Sequence, residues 1–306
     1  MKSDTASLTI FANFRIDSEE RLLRMKDSFN SFQKANIEKW VVNARGPLKK
    51  EAIEFLRENL GHNLVAYELE TGKGWFHDTN MMLPSITSGL VMFWIEDHIF
   101  MQTIADFNRV IQELYEASVD YFQYSWLANG LLPAQFSNLK YEETENFLFL
   151  DYGVNENMVR QQRSKELYGG REYYIISMCG IFTLDIFKKI LSKRDPFYRR
   201  WPKETPFDFE KRSCDIHWLP MRIAVPKGEF FAPIDDDNKV EGSSLQSRGL
   251  YPIRVERKEI NYTDEAYSNK SFLDLFRKQE RLRKIYHKSP VLLRIGNLFR
   301  RLKFQF

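Results

Sequence analysis

Over the first third of the chain, apolar β-branched or aromatic runs alternate with amphipathic stretches, and this restricts the fold more than any other feature. SLTIFANF at 7–14 reads as a buried strand. A helical pattern follows, with Leu22, Met25, Phe29 and Phe32 on one face. KWVVNA at 39–44 reads as a second strand. Pro47 then opens a helix whose stripe is Leu48, Ala52, Phe55, Leu56 and Leu60, and Gly61 sits where that helix should stop. NLVAYEL at 63–69 is a third strand, and a helical segment is expected around 77–87 after the loop ETGKGW. GLVMFWIEDH at 89–98 reads as one long apolar strand ending in charge. A further amphipathic helix carries Ile104, Phe107, Ile111 and Leu114.

Strand–helix alternation at this spacing predicts an α/β fold: a mixed, mainly parallel sheet covered by helices on both faces. Ligands of such sheets bind beyond the carboxyl ends of the strands. That rule selects Asn13 to Asp17, Asn43 to Gly46, Glu68 to Gly74, and Glu96 to His98. The second half is less regular. Strands are expected at 121–126, 146–153, 171–184 and 221–226, with a short helix at 185–191. A shaped loop with a helical piece is expected at 194–220, and a polar loop at 229–244. From about residue 265 the pattern is helical to the last residue. The expected organisation is one domain over 1–264, divided near residue 120, and a helical tail over 265–306.

The strongest local chemical feature is Ile95-Glu96-Asp97-His98. A core strand has no packing reason to finish in three titratable groups. Oxygen ligands there suit a hard divalent cation that could hold a diphosphate, Mn²⁺ or Mg²⁺. A solvated strand end is the bland alternative.

The succession SLTIFANF, KWVVNA, NLVAYEL and an apolar strand ending in acids near residue 97 resembles the nucleotide-sugar half of a GT-A glycosyltransferase, family-2-like. The resemblance covers about residues 7–245 and is loose in the second half. The family carries Asp-x-Asp where this chain has Glu96-Asp97-His98. The resemblance implies a nucleotide-sugar donor held by Asn13, Phe14, Arg15, Asn43, Arg45, Lys73, Asn80, Glu96 and Asp97. It also implies a cation on Asp97 and His98, although metal-independent members of the fold exist. About 7–120 would be the nucleotide-sugar half and 121–264 the acceptor half.

Thr205-Pro206-Phe207-Asp208-Phe209-Glu210 places two carboxylates at i and i+2 among aromatics. In an inverting transfer one carboxylate takes the proton of the attacking hydroxyl. Asp208 or Glu210 is the candidate catalytic base, and the residues do not separate them; a helix start is the structural alternative. Asp235-Asp236-Asp237 reads more readily as a turn than as a site, and Arg248 is a weaker candidate for a diphosphate. The histidines show no metal-ligand spacing. Gly-x-Gly-x-x-Gly, the P-loop pattern and Gly-x-Ser-x-Gly are absent, which argues against a dinucleotide oxidoreductase, a P-loop NTPase and an α/β-hydrolase.

Charge is distributed unevenly. Residues 277–306 hold ten Lys or Arg and one Glu, +9, against +3 for the whole chain, so the other residues carry −6. After Ser289-Pro290, Val291, Leu292, Ile295, Leu298, Phe299 and Leu302 recur at helical spacing with Arg294, Arg300, Arg301 and Lys303 between them. This is the pattern of an in-plane helix on an anionic membrane. Two cysteines, the absence of a long apolar run and the unremarkable N-terminal stretch point to a cytoplasmic protein, peripheral on the inner face of the cytoplasmic membrane. No nucleic acid is expected, because no nucleic-acid module accompanies the basic tail. The reading is therefore a glycosyltransferase acting on a surface glycan or lipid-linked acceptor. The alternatives are a non-catalytic glycan- or membrane-binding scaffold on the same fold, and a nucleotidyltransferase; the latter would need a Gly-rich phosphate loop, and 7–20 contain no Gly.

Overall fold

The structure, a computed structural model, describes residues 6–122, 141–152, 179–192, 221–235, 242, 244–255, 285 and 289–292. Among them, nine strands form one mixed sheet in the order β3-β2-β1-β4-β9-β6-β10-β8-β7. The first four strands are β1 (Leu8–Arg15), β2 (Lys39–Arg45), β3 (Leu64–Tyr67) and β4 (Leu90–Phe93), all mutually parallel. Beyond β4, β9 (Ile181–Thr183) runs antiparallel to both β4 and β6 (Tyr121–Phe122). β6 is parallel to β10 (Met221–Pro226), and the hairpin-like pair β7 (Tyr141–Glu143) and β8 (Phe147–Tyr152) completes the edge. The expected mainly parallel sheet is present, and it is broadly Rossmann-like.

The continuous apolar runs have a simple cause. Alternate residues of each strand go to opposite faces, and both faces are covered. Ile10, Ala12 and Phe14 of β1 pack with Trp40, Val42, Met92 and Trp94 under α1 (Glu19–Phe32), α2 (Lys49–Leu60) and α4 (Ile104–Glu116). Phe11, Val41, Val91 and Phe93 face the other way, against α3 (Trp75–Met82) and α5 (Leu184–Ser192). Phe11 meets Phe187 edge-on at 5.1 Å, while Phe32, Trp40, Trp94 and Phe231 form a linked aromatic cluster on the first face. Each such side chain fully buried stabilises the fold by roughly 1.5–3 kcal/mol.

Helix starts follow local chemistry. Ser18 caps α1 by accepting from Arg21 N–H, and Thr103 caps α4 by accepting from Asp106 N–H. α2 begins at Lys49, two residues later than Pro47, and ends at Gly61 with φ +53.

Several elements differ from the expectation. The run 89–98 is not one strand. β4 stops at Phe93, the backbone turns at Glu96-Asp97, and His98 begins β5 (His98–Phe100), which pairs with β11 (Phe231–Pro233) in a separate two-stranded sheet. The break comes where Trp94 turns its indole to Ser28 Oγ at 2.9 Å and Asp97 C=O accepts from Ile234 N–H at 2.8 Å. The polar stretch 229–244 therefore contains a strand. α3 starts at Trp75 and gives way to a 3-10 turn at Leu83–Ser85, rather than running through 77–87. Most of the expected strands 121–126 and 171–184, the loop 194–220 and the tail lie outside the described residues. No helix among the described residues is long and apolar enough to cross a membrane.

Candidate functional site

The carboxyl ends of β1 and β2 are stitched together by amides. Asn13 and Asn43 sit opposite each other in register, both buried, and Asn43 Nδ2 donates to Asn13 Oδ1 at 2.9 Å. Asn43 also pairs both ways with the backbone of Leu69, Nδ2 to its C=O at 3.0 Å and Oδ1 from its N–H at 2.6 Å. Asn13 Nδ2 donates to Thr79 Oγ1 at 2.7 Å, and its own C=O accepts from Trp75 Nε1 at 2.9 Å. These two amides thus hold the β3–α3 loop and α3 onto the sheet. Phe14 is also internal, edge-on to Trp94 at 5.3 Å.

Cations crown this edge. Arg15 is exposed and pairs with Glu70 at 2.8 Å. Arg45 is half-buried, and its Nε has no hydrogen-bond partner among the described residues. Burial, and next the neighbouring Arg15, push the Arg45 pKa down, while Asp78, Glu70 and Glu96 act in the opposite sense. Gly46 follows at φ +91, where an added Cβ would lie 2.5 Å from Ile16 C=O. Only glycine lets the backbone turn this closely beside β1.

The loop from β3 to α3 supplies a third wall. Asp78, buried in the first turn of α3, accepts from the Thr71 hydroxyl at 2.5 Å, and Lys73 N–H donates to Thr71 Oγ1 at 3.3 Å. Gly72 and Gly74 take positive φ within this loop. Lys73 is exposed. Asn80 is also exposed and folds back on its own helix, Nδ2 to Phe76 C=O at 2.7 Å. The inward polar groups of α3 are Asp78 and Thr79, which sequence reasoning passed over. Their i, i+4 relation to Gly74 and Trp75 was the available signal.

The turn after β4 brings two carboxylates of opposite tendency together. Glu96 is 6 % exposed. Burial raises its pKa to about 7, and Asp97 adds to the rise, while Arg21 opposes it from 3.6 Å. For Asp97 burial acts upward too, but the hydrogen bond and charge of His98, with Arg21 and Arg24, hold it below the usual carboxylate range. His98 is buried and its Nδ1 lies 2.8 Å from Asp97 Oδ1. Adjacent acids pushed apart in this way give one proton carrier and one standing anion. Arg21 also donates to Arg15 C=O at 3.1 Å, which links this turn to the end of β1.

The edge therefore gathers Arg15, Arg21 and Arg45 with Glu70, Asp78, Glu96 and Asp97. Guanidinium groups suit phosphate oxygens, and carboxylates suit hydroxyls. Asp235 pairs with Arg24 of α1 at 2.5 Å, and Arg248 is held by both oxygens of Glu229 at 2.9 Å. Asp208, Glu210, Asp236 and Asp237 lie outside the described residues. Among the described residues no three His, Cys, Asp or Glu side chains are grouped to hold a metal ion.

Comparison with protein-family models and with curated proteins finds no match. Solved structures are similar at low identity. TarS 1-349 from S. aureus is 13% identical with a TM-score of 0.43, over 86% of this chain and 73% of that one. The same TarS fragment in complex with UDP-GlcNAc is 12% identical with a TM-score of 0.43, over 89% and 76%. The mannosyltransferase PcManGT from Pyrobaculum calidifontis, in complex with GDP-Man and Mn²⁺, is 10% identical with a TM-score of 0.40, over 97% and 80%.

Proposed function

We propose that this chain is a GT-A-type glycosyltransferase that moves a hexose-like sugar from a nucleoside diphosphate to a hydroxyl of a surface-glycan or lipid-linked acceptor. The observation that supports it best is Arg45: a half-buried guanidinium, its Nε without a partner among the described residues, at the carboxyl edge of parallel strands. A desolvated cation at a ligand-binding edge suits a polyanion. In this reading Arg45 and Arg15 meet the diphosphate, and Lys73 adds a flexible point charge from the β3–α3 loop. Asn13 and Asn43 shape the floor, while Phe14 and Asn80 contribute through packing and helix geometry.

Asp97 is the residue that would hold Mn²⁺ or Mg²⁺. It stays anionic, and its side chain is 36% exposed. Such ions keep several waters and need only one or two carboxylates beside substrate phosphates. His98, the second expected ligand, lies beside it with Nδ1 2.8 Å from Asp97 Oδ1. The ion would neutralise the charge of the departing diphosphate. The acceptor oxygen attacks the anomeric carbon, the bond from that carbon to the diphosphate oxygen breaks, and Asp208 or Glu210 takes the hydroxyl proton, giving inversion. In this reading the protein works at the inner face of the cytoplasmic membrane, with the basic stretch 289–306 on anionic lipid.

The test is a thermal-shift panel of UDP, GDP, CDP, CMP and dTDP, each with and without Mn²⁺. One nucleotide should raise Tm, and Arg45→Met should remove the rise. If Asp97→Ala removes only the Mn²⁺-dependent part, the cation assignment stands. No rise from any nucleotide, together with no hydrolysis of the corresponding nucleotide sugars, overturns the transferase reading in favour of the scaffold.

A further inference from the structure

The segment after the second small strand exposes aliphatic side chains. Gly249, at φ +68, starts a strap running to Val255. Its polar members tie it to α1, with Tyr251 half-buried and the Arg254 side chain 37% exposed. Tyr251 Oη donates to Asp27 Oδ2 of α1 at 2.5 Å, and the Arg254 guanidinium donates to Tyr251 Oη at 3.0 Å while lying over its ring at 5.0 Å. Arg254 also lies 3.6 Å from Asp27 and 3.8 Å from Glu20. At the other end, Leu250 N–H is bound to Leu245 C=O at 2.8 Å, and Leu245 is buried. The apolar members point out: Leu250, Ile253 and Val255 are 60%, 65% and 56% exposed. Leu23, between Glu20 and Asp27 on the same face of α1, is 43% exposed. Of nine large apolar side chains exposed among the described residues, six lie at or after residue 250.

A strap anchored through its polar groups and showing three aliphatic side chains to the outside is the inverse of what water selects. We propose that the strap 249–255 is a membrane-contact site on the folded body, inserting Leu250, Ile253 and Val255 into an anionic lipid surface. Lipid is the occupant that charge favours. The chain continues from Val255 into a stretch whose last thirty residues carry +9, and Ile285, Val291 and Leu292 within it are exposed apolar residues too. A basic stretch draws the protein to anionic headgroups, and aliphatic side chains then enter the acyl boundary. The strap and the tail would form two contacts, with the strap fixing the tilt of the site edge because α1 anchors it. This inference rests on the reading above only for the identity of the surface; it needs neither donor nor activity.

The experiment is flotation of the full chain with vesicles of phosphatidylglycerol and phosphatidylcholine, at low and high salt. The variants are Leu250→Ser/Ile253→Ser/Val255→Ser, Ile253→Trp, and Arg300→Glu/Arg301→Glu. The triple Ser variant should lose vesicle affinity by about ten-fold, mostly in the part that survives high salt. Ile253→Trp should bind several-fold more tightly, a gain that misfolding does not produce. The tail variant should lose the salt-sensitive part alone. Wild-type affinity in the triple Ser variant, with binding lost in the tail variant, would overturn the strap and leave the tail. Failure of the wild type to float would overturn both membrane contacts and leave the donor site to its own thermal-shift test. A lower Tm or a changed oligomeric state in the triple Ser variant would show that the tail or a second copy covers the strap, and would equally overturn the proposal.

Discussion

Asn43 donates to Asn13 across two adjacent parallel strands at 2.9 Å, and both amides are closed off from solvent by the loop they hold. The pair ties β1, β2, Leu69 and α3 into one unit at the edge where a ligand would sit. Replacing Asn43 with Ala leaves the Leu69 N–H and C=O without their side-chain partner. The expected loss is about 2–4 kcal/mol, read as a lower urea midpoint with unchanged slope. A change within 0.5 kcal/mol would mean that the network is not structural.

Arg45 should behave in the opposite way. Its burial lowers its pKa, and its Nε has no partner among the described residues, so the charge is held at some expense to stability. Arg45→Met is expected to keep or raise Tm while weakening nucleotide binding by roughly ten-fold or more. Thermal unfolding alone and with nucleotide measures both. A fall in Tm with unchanged binding would assign Arg45 a structural role.

Gly46→Ala tests the turn that carries Arg45. The new Cβ meets a backbone oxygen at 2.5 Å in a conformation that disfavours any side chain. The expected destabilisation is about 1–3 kcal/mol, with weaker nucleotide binding because Arg45 moves. Full stability in Gly46→Ala would disprove the turn geometry.

Glu96 sets a pH dependence. Its folded pKa is raised from 4.5 to about 7, so the folded protein binds more protons than the unfolded chain between these values. Stability from this group is full below pH 4.5 and is lost as pH rises through 7. Asp97 acts with the opposite sign at lower pH, because its folded pKa is depressed. In chelator-containing buffer, Glu96→Gln should flatten the decline between pH 5 and 8, a gain of about 1–3 kcal/mol at the alkaline end. Parallel pH profiles for wild type and variant would refute the buried-acid assignment.

The candidate base is separable by kinetics. Asp208→Asn and Glu210→Gln should differ, one lowering kcat by roughly 10²–10⁴ with little change in KM and the other close to wild type. Equal, small effects in both would move the base elsewhere and remove the argument for inversion.

The sequence determined the sheet of this protein. Apolar runs such as 39–44 and the helical stripe of Leu22, Met25, Phe29 and Phe32 are periodic and local, so they could be read without knowing their neighbours. The edge where a ligand would bind followed from the parallel order alone, and Arg45, Glu96 and Asp97 were found there by position. Only the tertiary structure decided how those positions are paired and buried. The strand through 89–98 breaks because Trp94 and Asp97 meet Ser28 and Ile234, 66 and 137 residues away in the chain. Asn13 and Asn43 look like ligand groups in one dimension, and in three they also hold Leu69 and Thr79. The outward face of strap 249–255 left no periodic trace at all. Hydrophobic periodicity is a property of neighbouring residues, whereas pairing, burial and the pKa of Glu96 depend on groups that meet only after the chain has folded.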